Sequence, residues 1–196
     1  YIDEDRYSLA ETDPAYVPPS RQPYKDRMIQ SYPNKAALRP ITDRYYRGFD
    51  MKYADFWRYK EWEREFDQYA KNGNLPSLEL LRLPHDHFGD FAHAEDGVNT
   101  VETQMADNDY ALGMLVEKIS RSRYRDNTLI VVVEDDAQDG GDHVDAHRSL
   151  AYLIGPYVKR NTVVTTRYTT VNMLRTIEDV LGLSPMGLTD GNALPM

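Results

Sequence analysis

The expected fold is decided by residues 128–136, TLIVVVEDD, in which an apolar, β-branched run ends abruptly in three acidic residues. The run shows no alternation of polar and apolar positions, which is typical of a strand covered on both faces of a parallel sheet. A second apolar run, residues 150–154, precedes Gly155 and Pro156. The second half of the chain is therefore expected to contribute two buried strands.

Three stretches carry the 3.6-residue period of amphipathic helices, and two of them end at a glycine that can take the left-handed conformation of a helix C-cap. Asn99 and Glu102 resemble a capping box at the start of the second helix. A short apolar run, residues 78–83, predicts a further strand that ends at Pro84. The three predicted helices cover residues 53–71, 100–120 and 169–181.

The order of these elements predicts an α/β fold, with a mainly parallel sheet flanked by helices, over residues 53–196. Residues 1–52 are rich in Pro, Tyr, Arg and Asp and have no sustained period, so they are expected to form an irregular segment that wraps a larger body. In open parallel sheets the functional site lies just beyond the carboxyl ends of the strands. The polar residues that follow the predicted strands are therefore the first candidates for chemistry.

Composition narrows the kinds of chemistry that are open to the chain. Its 196 residues include no cysteine, which excludes disulfides and sulfur-ligated metals. The net charge of -9 argues against a nucleic-acid groove, which would need clustered Lys and Arg. No apolar run reaches the roughly 18–20 residues of a membrane-spanning helix, so no membrane span is expected.

The densest group of ionisable residues is the acidic segment, residues 134–148, EDDAQDGGDHVDAHR. Close carboxylates repel one another unless a cation compensates, and carboxylates and imidazoles are common ligands of divalent ions. A solvated acidic loop rich in turn-forming Asp and Gly is the alternative reading of the same residues. The segment matches neither the calcium helix-loop-helix spacing nor the His-Glu-x-x-His motif of zinc proteases.

Four motifs, taken in order, resemble one known family. The motifs are LPHDH at 83–87, ADNDYALG at 106–113, the acidic segment at 134–148, and MLRTIEDVLGL at 173–183. On these motifs, the sequence from about Phe56 to Met196 is similar to the C-terminal portion of the alkaline phosphatase superfamily, in particular the bacterial phosphoesterase family related to phospholipase C and acid phosphatases.

The resemblance implies a set of metal ligands and a set of residues that support them or contact the substrate. Asp136 stands where the superfamily commonly has His, and the usual three-residue spacing between Asp and His is absent at Asp86. His93 is expected to be a surface residue. The implied ligands are Asp135, Asp136, His147, His87 and Asp86. The implied supporting or substrate-contacting residues are His143, Arg148 and His85.

The implied activity is metal-dependent hydrolysis of a phosphomonoester or phosphodiester, with zinc, manganese, calcium or magnesium as the divalent ion. In the family a Ser or Thr nucleophile sits upstream of these motifs, and residues 1–50 contain no convincing counterpart. Ser149 and Thr100 lie near the motifs but are expected to begin a strand and a helix. We therefore expect the nucleophile to belong to a missing N-terminal half of the same domain, and the resemblance favours a periplasmic or secreted protein.

Two other functions remain open from the sequence alone. The first is a non-catalytic, metal-stabilised domain that serves in binding or assembly. The second is a structural module stabilised by calcium. Asp136 in place of His and the lack of an evident nucleophile both favour a non-catalytic domain, whereas the order of the four motifs favours the phosphoesterase.

Overall fold

The computed structural model describes residues 6–7, 29–30, 33–135 and 148–196. The described residues fall into two units that divide between Thr128 and Leu129. None of the helices in these described ranges is both long enough and apolar enough to cross a membrane.

The first unit is built on two long helices, with short elements around them. Strands β1 and β2 pair antiparallel, so that Arg6 lies opposite Gln30. Three short 3-10 helices complete the unit. In chain order the elements are β1 (Arg6–Tyr7), β2 (Ile29–Gln30), a 3-10 helix (Ala36–Ile41), α1 (Asp55–Asn72), a 3-10 helix (Pro84–Asp86), α2 (Val101–Ser120) and a 3-10 helix (Arg125–Asn127).

Helix α1 forms over the first stretch with a predicted helical period, and aromatic side chains make part of its buried face. Tyr59, Trp62 and Phe66 recur at helical spacing and are buried, and the Trp62 and Phe66 rings stack with centroids 4.8 Å apart. The helix ends where Gly73 takes a left-handed conformation with φ of 72°. The predicted helix and its stop signal are therefore confirmed.

Helix α2 packs against α1, and its residues Ala111 and Leu115 are buried. About two turns before Ala111, the side chain of Gln104 is fully buried, and its amide contacts both ends of a loop. It accepts a hydrogen bond from the Gly89 backbone N–H at 3.0 Å and donates to the carbonyl oxygens of Gly89 and Val98 at 2.8 and 3.1 Å. A single amide side chain thus closes residues 89–98 into a compact loop.

The second unit contains strands β3 (Ile130–Val133) and β4 (Ala151–Ile154) and helices α3 (Thr170–Leu181) and α4 (Leu188–Gly191). Helix α3 ends at Gly182, as predicted, and the C-terminal residues return to it. The Asn172 side chain donates to the Leu194 carbonyl, and the Met196 N–H donates to the Thr176 hydroxyl, both at 2.8 Å.

The predicted mainly parallel sheet is wrong. Strands β3 and β4 form a two-stranded antiparallel pair, in which Ile130 lies opposite Ile154 and Val133 opposite Ala151. The strands are only half-buried, and the described part of the chain is otherwise dominated by helices. Antiparallel neighbours can be joined directly by a loop, whereas a parallel pair needs a crossover connection. An apolar, β-branched run indicates a strand but not its direction.

Two smaller expectations also need correction. Residues 78–83 form no strand, because no other strand among the described residues pairs with them. The capping box of α2 is formed by Thr100 and Thr103 rather than by Asn99 and Glu102: the Thr103 N–H donates to the Thr100 hydroxyl at 3.2 Å.

A carboxylate cluster lies against α1 in the first unit. Arg64 contacts Oε1 of the fully buried Glu61 at 2.6 Å, but its distance to Oδ2 of Asp43 is 3.6 Å. Asp43 Oδ2 is buried and accepts no hydrogen bond. Burial and the nearby charges of Glu61 and Glu65 raise the pKa of Asp43 to about 8. Asp43 therefore binds a proton more tightly in the folded chain than in the unfolded chain.

This shift predicts how stability depends on pH. Since the folded pKa of Asp43 lies above its ordinary value, stability falls as pH rises from about 4 to about 8, by up to about 1.4 kcal/mol per pH unit. We expect the stability advantage of Asp43→Asn, which mimics the protonated acid, over the wild type to grow by up to about 4 kcal/mol between pH 5 and pH 8. Urea denaturation at both pH values measures this, and an equal difference at pH 5 and pH 8 would contradict it.

Candidate functional site

The most buried group of ionisable side chains lies where α1, α2 and the 3-10 helix Pro84–Asp86 meet. It contains His85, Asp55 and Arg58, none of which has measurable exposure, and Asp107, whose side chain is 9% exposed. Burying so many charges is costly unless they are paired and hydrogen-bonded. The contacts of each group therefore decide what this cluster can do.

Both ring nitrogens of His85 face oxygen acceptors. Nδ1 lies 2.7 Å from Oδ2 of Asp107, and Nε2 lies 3.0 Å from the Met51 carbonyl oxygen. A neutral imidazole has one donor nitrogen, so this geometry favours the doubly protonated ring, which donates from both nitrogens. The contacts of His85 thus favour the imidazolium over either neutral tautomer.

The surroundings of His85 also favour its protonated form. Burial acts to lower the pKa of His85, but the hydrogen bond to Asp107 and the negative charge of Asp55 outweigh burial and raise the pKa above 6.5. Because the folded pKa is raised, the stability that His85 contributes is complete below about pH 6.5 and is lost as pH rises through the raised value.

Asp107 also caps α1 from outside the helix. Its carboxylate accepts hydrogen bonds from the backbone N–H groups of Asp55 at 2.6 Å and Phe56 at 3.1 Å. These are two of the first N–H groups of α1, which have no partner inside the helix. One carboxylate therefore satisfies the start of α1 and the charge of His85.

Asp55 and Arg58 complete the charge balance. The Asp55 carboxylate accepts from Arg58 Nη1 at 3.1 Å, from the His85 backbone N–H at 3.1 Å and from the Asn108 side-chain amide at 3.0 Å. Burial raises the pKa of the Asp55 carboxyl, but all three contacts are donors and favour its ionised form.

The remaining donors of Arg58 bind backbone carbonyl groups of the segment that precedes α1. Its guanidinium donates to carbonyl oxygens at distances of 2.6 to 3.0 Å, which fixes the path of that segment. The acceptors belong to Arg47, Gly48, Asp50 and Tyr53.

The spacing of Asp55, His85 and Asp107 is that of a metal site, but their chemistry does not fit one. Both nitrogens of His85 are engaged, and a ligand imidazole needs a free lone pair. The carboxylates already accept hydrogen bonds from backbone and side-chain donors. We therefore assign this cluster a structural role: it fixes the backbone on either side of residues 84–87.

The predicted ligands Asp86 and His87 follow His85 directly and are half-buried. His87 ends the 3-10 helix, and its N–H donates to the Pro84 carbonyl at 3.0 Å. The His87 ring meets the Phe49 ring in a T-shaped contact with centroids 5.1 Å apart. Both side chains carry donor groups suited to a divalent ion, and the cluster beneath them holds their backbone in place.

The other predicted ligands belong to the acidic segment of the second unit. Asp135 is exposed directly after β3, and Arg148 is exposed before β4. Asp136, His143 and His147 lie outside the described residues. The ligand roles assigned to this segment therefore stay predictions from the sequence.

The two hydroxyl groups near the predicted site have structural roles. The Ser149 hydroxyl donates to the Glu134 carbonyl at 3.0 Å, which extends the β3–β4 pairing by one contact. The Thr100 hydroxyl caps α2. Neither has the adjacent base that activates a nucleophile among its observed partners, which agrees with the roles that the sequence predicted for them.

The sequence analysis missed the buried roles of Asp55, Arg58 and Asp107. One available signal was the position of Asp55 and Arg58 on the same helical face as Tyr59 and Trp62, since charged residues on an apolar face are paired when buried. The involvement of His85 with this cluster had no local signal, because its partners lie more than twenty residues away.

Comparison of the chain with protein-family models, with curated proteins and with solved structures finds no match. The likeness to the bacterial phosphoesterase family therefore rests on the four motifs quoted above.

Breaking the buried His85–Asp107 contact should cost far more stability than breaking an exposed His–Asp contact of similar length. Asp107→Ala strands the His85 charge and uncaps α1, so we expect it to lower the free energy of unfolding by about 3–5 kcal/mol. His93 and Asp90 form a 2.9 Å pair with side chains 74% and 40% exposed. His93→Ala breaks this pair without changing Asp90, whose φ is 54°, so it is the control and should cost less than about 1 kcal/mol. Urea denaturation followed by tryptophan fluorescence measures both, and equal losses would contradict the structural role of the buried cluster.

Proposed function

We propose that this chain is the metal-binding part of a metal-dependent hydrolase of phosphoester bonds. The observation that carries the proposal is the junction at residues 84–87, where two adjacent residues with metal-binding groups, Asp86 and His87, follow a histidine that is locked in a buried cluster. Metal sites need ligands whose backbone is held in place by surrounding contacts. This junction meets that requirement.

The buried cluster also distinguishes the three polar residues of the His85-Asp86-His87 motif. His85 is excluded as a ligand because its two nitrogens are hydrogen-bonded within the cluster. Asp86 and His87 are left as the ligands in the described part of the first unit. We propose that Asp135, Asp136 and His147 supply further ligands, on the strength of the sequence motif alone.

A bound divalent ion would polarise a phosphate oxygen and lower the pKa of a bound water or hydroxyl group. Carboxylate and imidazole ligands suit zinc and manganese, and carboxylates also suit calcium and magnesium. The residues of this chain would bind and orient the ion: Asp86 through oxygen, and His87 through a ring nitrogen with its orientation fixed by Phe49. The nucleophile is assigned to the N-terminal half of the domain.

A metal-stabilised binding or assembly domain is the second candidate, and one observation favours it. Met173 is the only buried apolar residue among the described residues of the second unit. Tyr157, Val163 and Leu188 are more than four-fifths exposed. Apolar surface on this scale is typical of a contact with another chain segment or protein. In a phosphoesterase, the same surface would contact the N-terminal half of the domain.

The first test is metal content. We expect the purified chain, dialysed against zinc, manganese, calcium and magnesium in turn, to retain at least one of these ions in elemental analysis. His87→Ala should weaken retention on the order of 10–100-fold, because it removes a ligand, and Asp135→Ala is measured separately. His93→Ala removes an exposed histidine of the same unit and should leave the metal content unchanged.

Activity then separates the two candidates. The metal-loaded chain, joined to its N-terminal half, should hydrolyse 4-nitrophenyl phosphate or bis(4-nitrophenyl) phosphate, and the His87→Ala variant should not. Metal that stays bound in every variant, or a chain that retains none of the four ions, would refute the assigned ligands. Metal retention without hydrolysis in the completed domain would favour the binding or assembly domain.

A further inference from the structure

We infer that a proton on Glu178 holds the C-terminal segment, residues 186–196, against helix α3, and that the segment is released when this proton is lost at higher pH. The inference goes beyond the proposed function and does not depend on it. Every contact that supports it lies within the second unit, between α3 and the residues that follow that helix.

Glu178 carries a buried carboxyl group on α3. The residue is 2% exposed, and neither of its side-chain oxygens accepts a hydrogen bond from a residue that the structure describes. Nη1 of Arg175 lies 3.8 Å from Oε2 of Glu178, beyond hydrogen-bond distance, and Nη2 of Arg175 binds Asp179 instead. An ionised carboxylate is costly to bury without donors, whereas a protonated carboxyl group carries no charge. The geometry therefore favours the protonated form of Glu178.

Asp190 supplies the acceptor for this proton. It belongs to α4 and is 6% exposed. Its carboxylate accepts hydrogen bonds from the backbone N–H groups of Met186 at 2.6 Å and Gly187 at 3.0 Å. Burial acts to raise the pKa of Asp190, but its hydrogen bonds outweigh burial and lower the pKa. Asp190 therefore stays ionised and can accept a hydrogen bond from the protonated Glu178.

The same contact shifts the pKa of Glu178 in the opposite direction. Burial, the hydrogen bond with Asp190 and the charge of Asp190 raise the pKa of Glu178, against the Met186 N–H and the Arg175 charge, which act to lower it. These are the groups of α3 and of the C-terminal segment that face Glu178 among the described residues. Two neighbouring carboxyl groups whose pKa values are shifted apart share one proton, and Glu178 holds it.

Two further contacts join the C-terminal segment to α3. The Asn172 side chain donates to the Leu194 carbonyl, and the Met196 N–H donates to the Thr176 hydroxyl. Apolar burial contributes little, since Leu188 and Leu194 are 85% and 76% exposed. Helix α4 has only four residues, and so short a helix is not stable without tertiary contacts. Losing the carboxyl contact therefore has a large effect on how firmly the segment is docked.

The direction of the pH dependence follows from the two states of Glu178. In the released segment Glu178 meets water and has its ordinary pKa of 4.5, whereas in the docked segment the pKa is raised. Docking is therefore strongest near pH 4.5 and weakens as the pH rises through the raised value, because a second negative charge then lies beside Asp190. The pKa of Asp190 is lowered from 3.8, so its own titration lies outside this range.

The experiment measures docking of residues 186–196 in the full chain by hydrogen–deuterium exchange and mass spectrometry. Rates at about pH 5 and about pH 8 are corrected for the intrinsic pH dependence of amide exchange. In the wild type we expect protection of the segment to fall by about tenfold or more between the two pH values, since each unit by which the pKa is raised changes the docking equilibrium tenfold. Glu178→Gln keeps a donor for Asp190 but does not titrate, so its protection should be equal at both pH values.

Glu117→Gln is the control for loss of a glutamate. Glu117 is 55% exposed and pairs with Arg121, so this variant should keep the pH dependence of the wild type. Protection of α3 itself should change less than protection of the segment, because release is a local opening and not unfolding of the unit.

Wild-type protection that is unchanged between the two pH values would overturn the inference. An equal loss in the wild type and in Glu178→Gln would also overturn it, because another group would then cause the loss, and so would an equal loss in α3 and the segment. If Glu178→Gln is unprotected at both pH values, carbon-13 NMR of the Glu178 carboxyl in the wild type decides. Titration above pH 4.5 supports the inference, and titration at or below pH 4.5 overturns it.

Discussion

The contact between His85 and Asp107 is the interaction on which the rest of the first unit depends. It joins the turn before the predicted ligands to α2, and the same carboxylate satisfies the start of α1. Asp55 and Arg58 balance the remaining charge and extend the network to the segment before α1. Removing any one charge would leave another buried without compensation, so the four groups act as a unit.

This arrangement places one supporting residue and two proposed metal ligands at three consecutive positions. His85 points into the cluster, where its protonation and orientation are fixed, while Asp86 and His87 remain half-buried. A site with this design gains rigidity from a histidine that cannot itself bind metal. On composition alone, the motif Leu-Pro-His-Asp-His offers two histidines as candidate metal ligands. The hydrogen bonds of His85 leave only His87 as a candidate.

The helices could be predicted from the sequence, and the sheet could not. Tyr59 and Phe66 repeat at a spacing that only a helix brings to one face, so the period decides the element. The run at 130–133 fixes a strand, but strand direction depends on which partner the chain meets, and Val133 is half-exposed rather than buried. The role of His85 depends on Asp55 and Asp107, whose positions become known only when α1 and α2 have packed.

The amide of Gln104 has a consequence for how the surface of this unit can vary. The Gln104 amide ties Gly89 to Val98. The Glu95 N–H also donates to the Lys52 carbonyl and the Trp57 ring N–H donates to Asp96, so the anchored part of the loop includes residues 95 and 96. Asp90 and His93 at its tip contact each other and are well exposed. Substitutions or insertions at the tip would leave the helices untouched, so this loop is a natural place for related sequences to diverge in length while the scaffold stays constant.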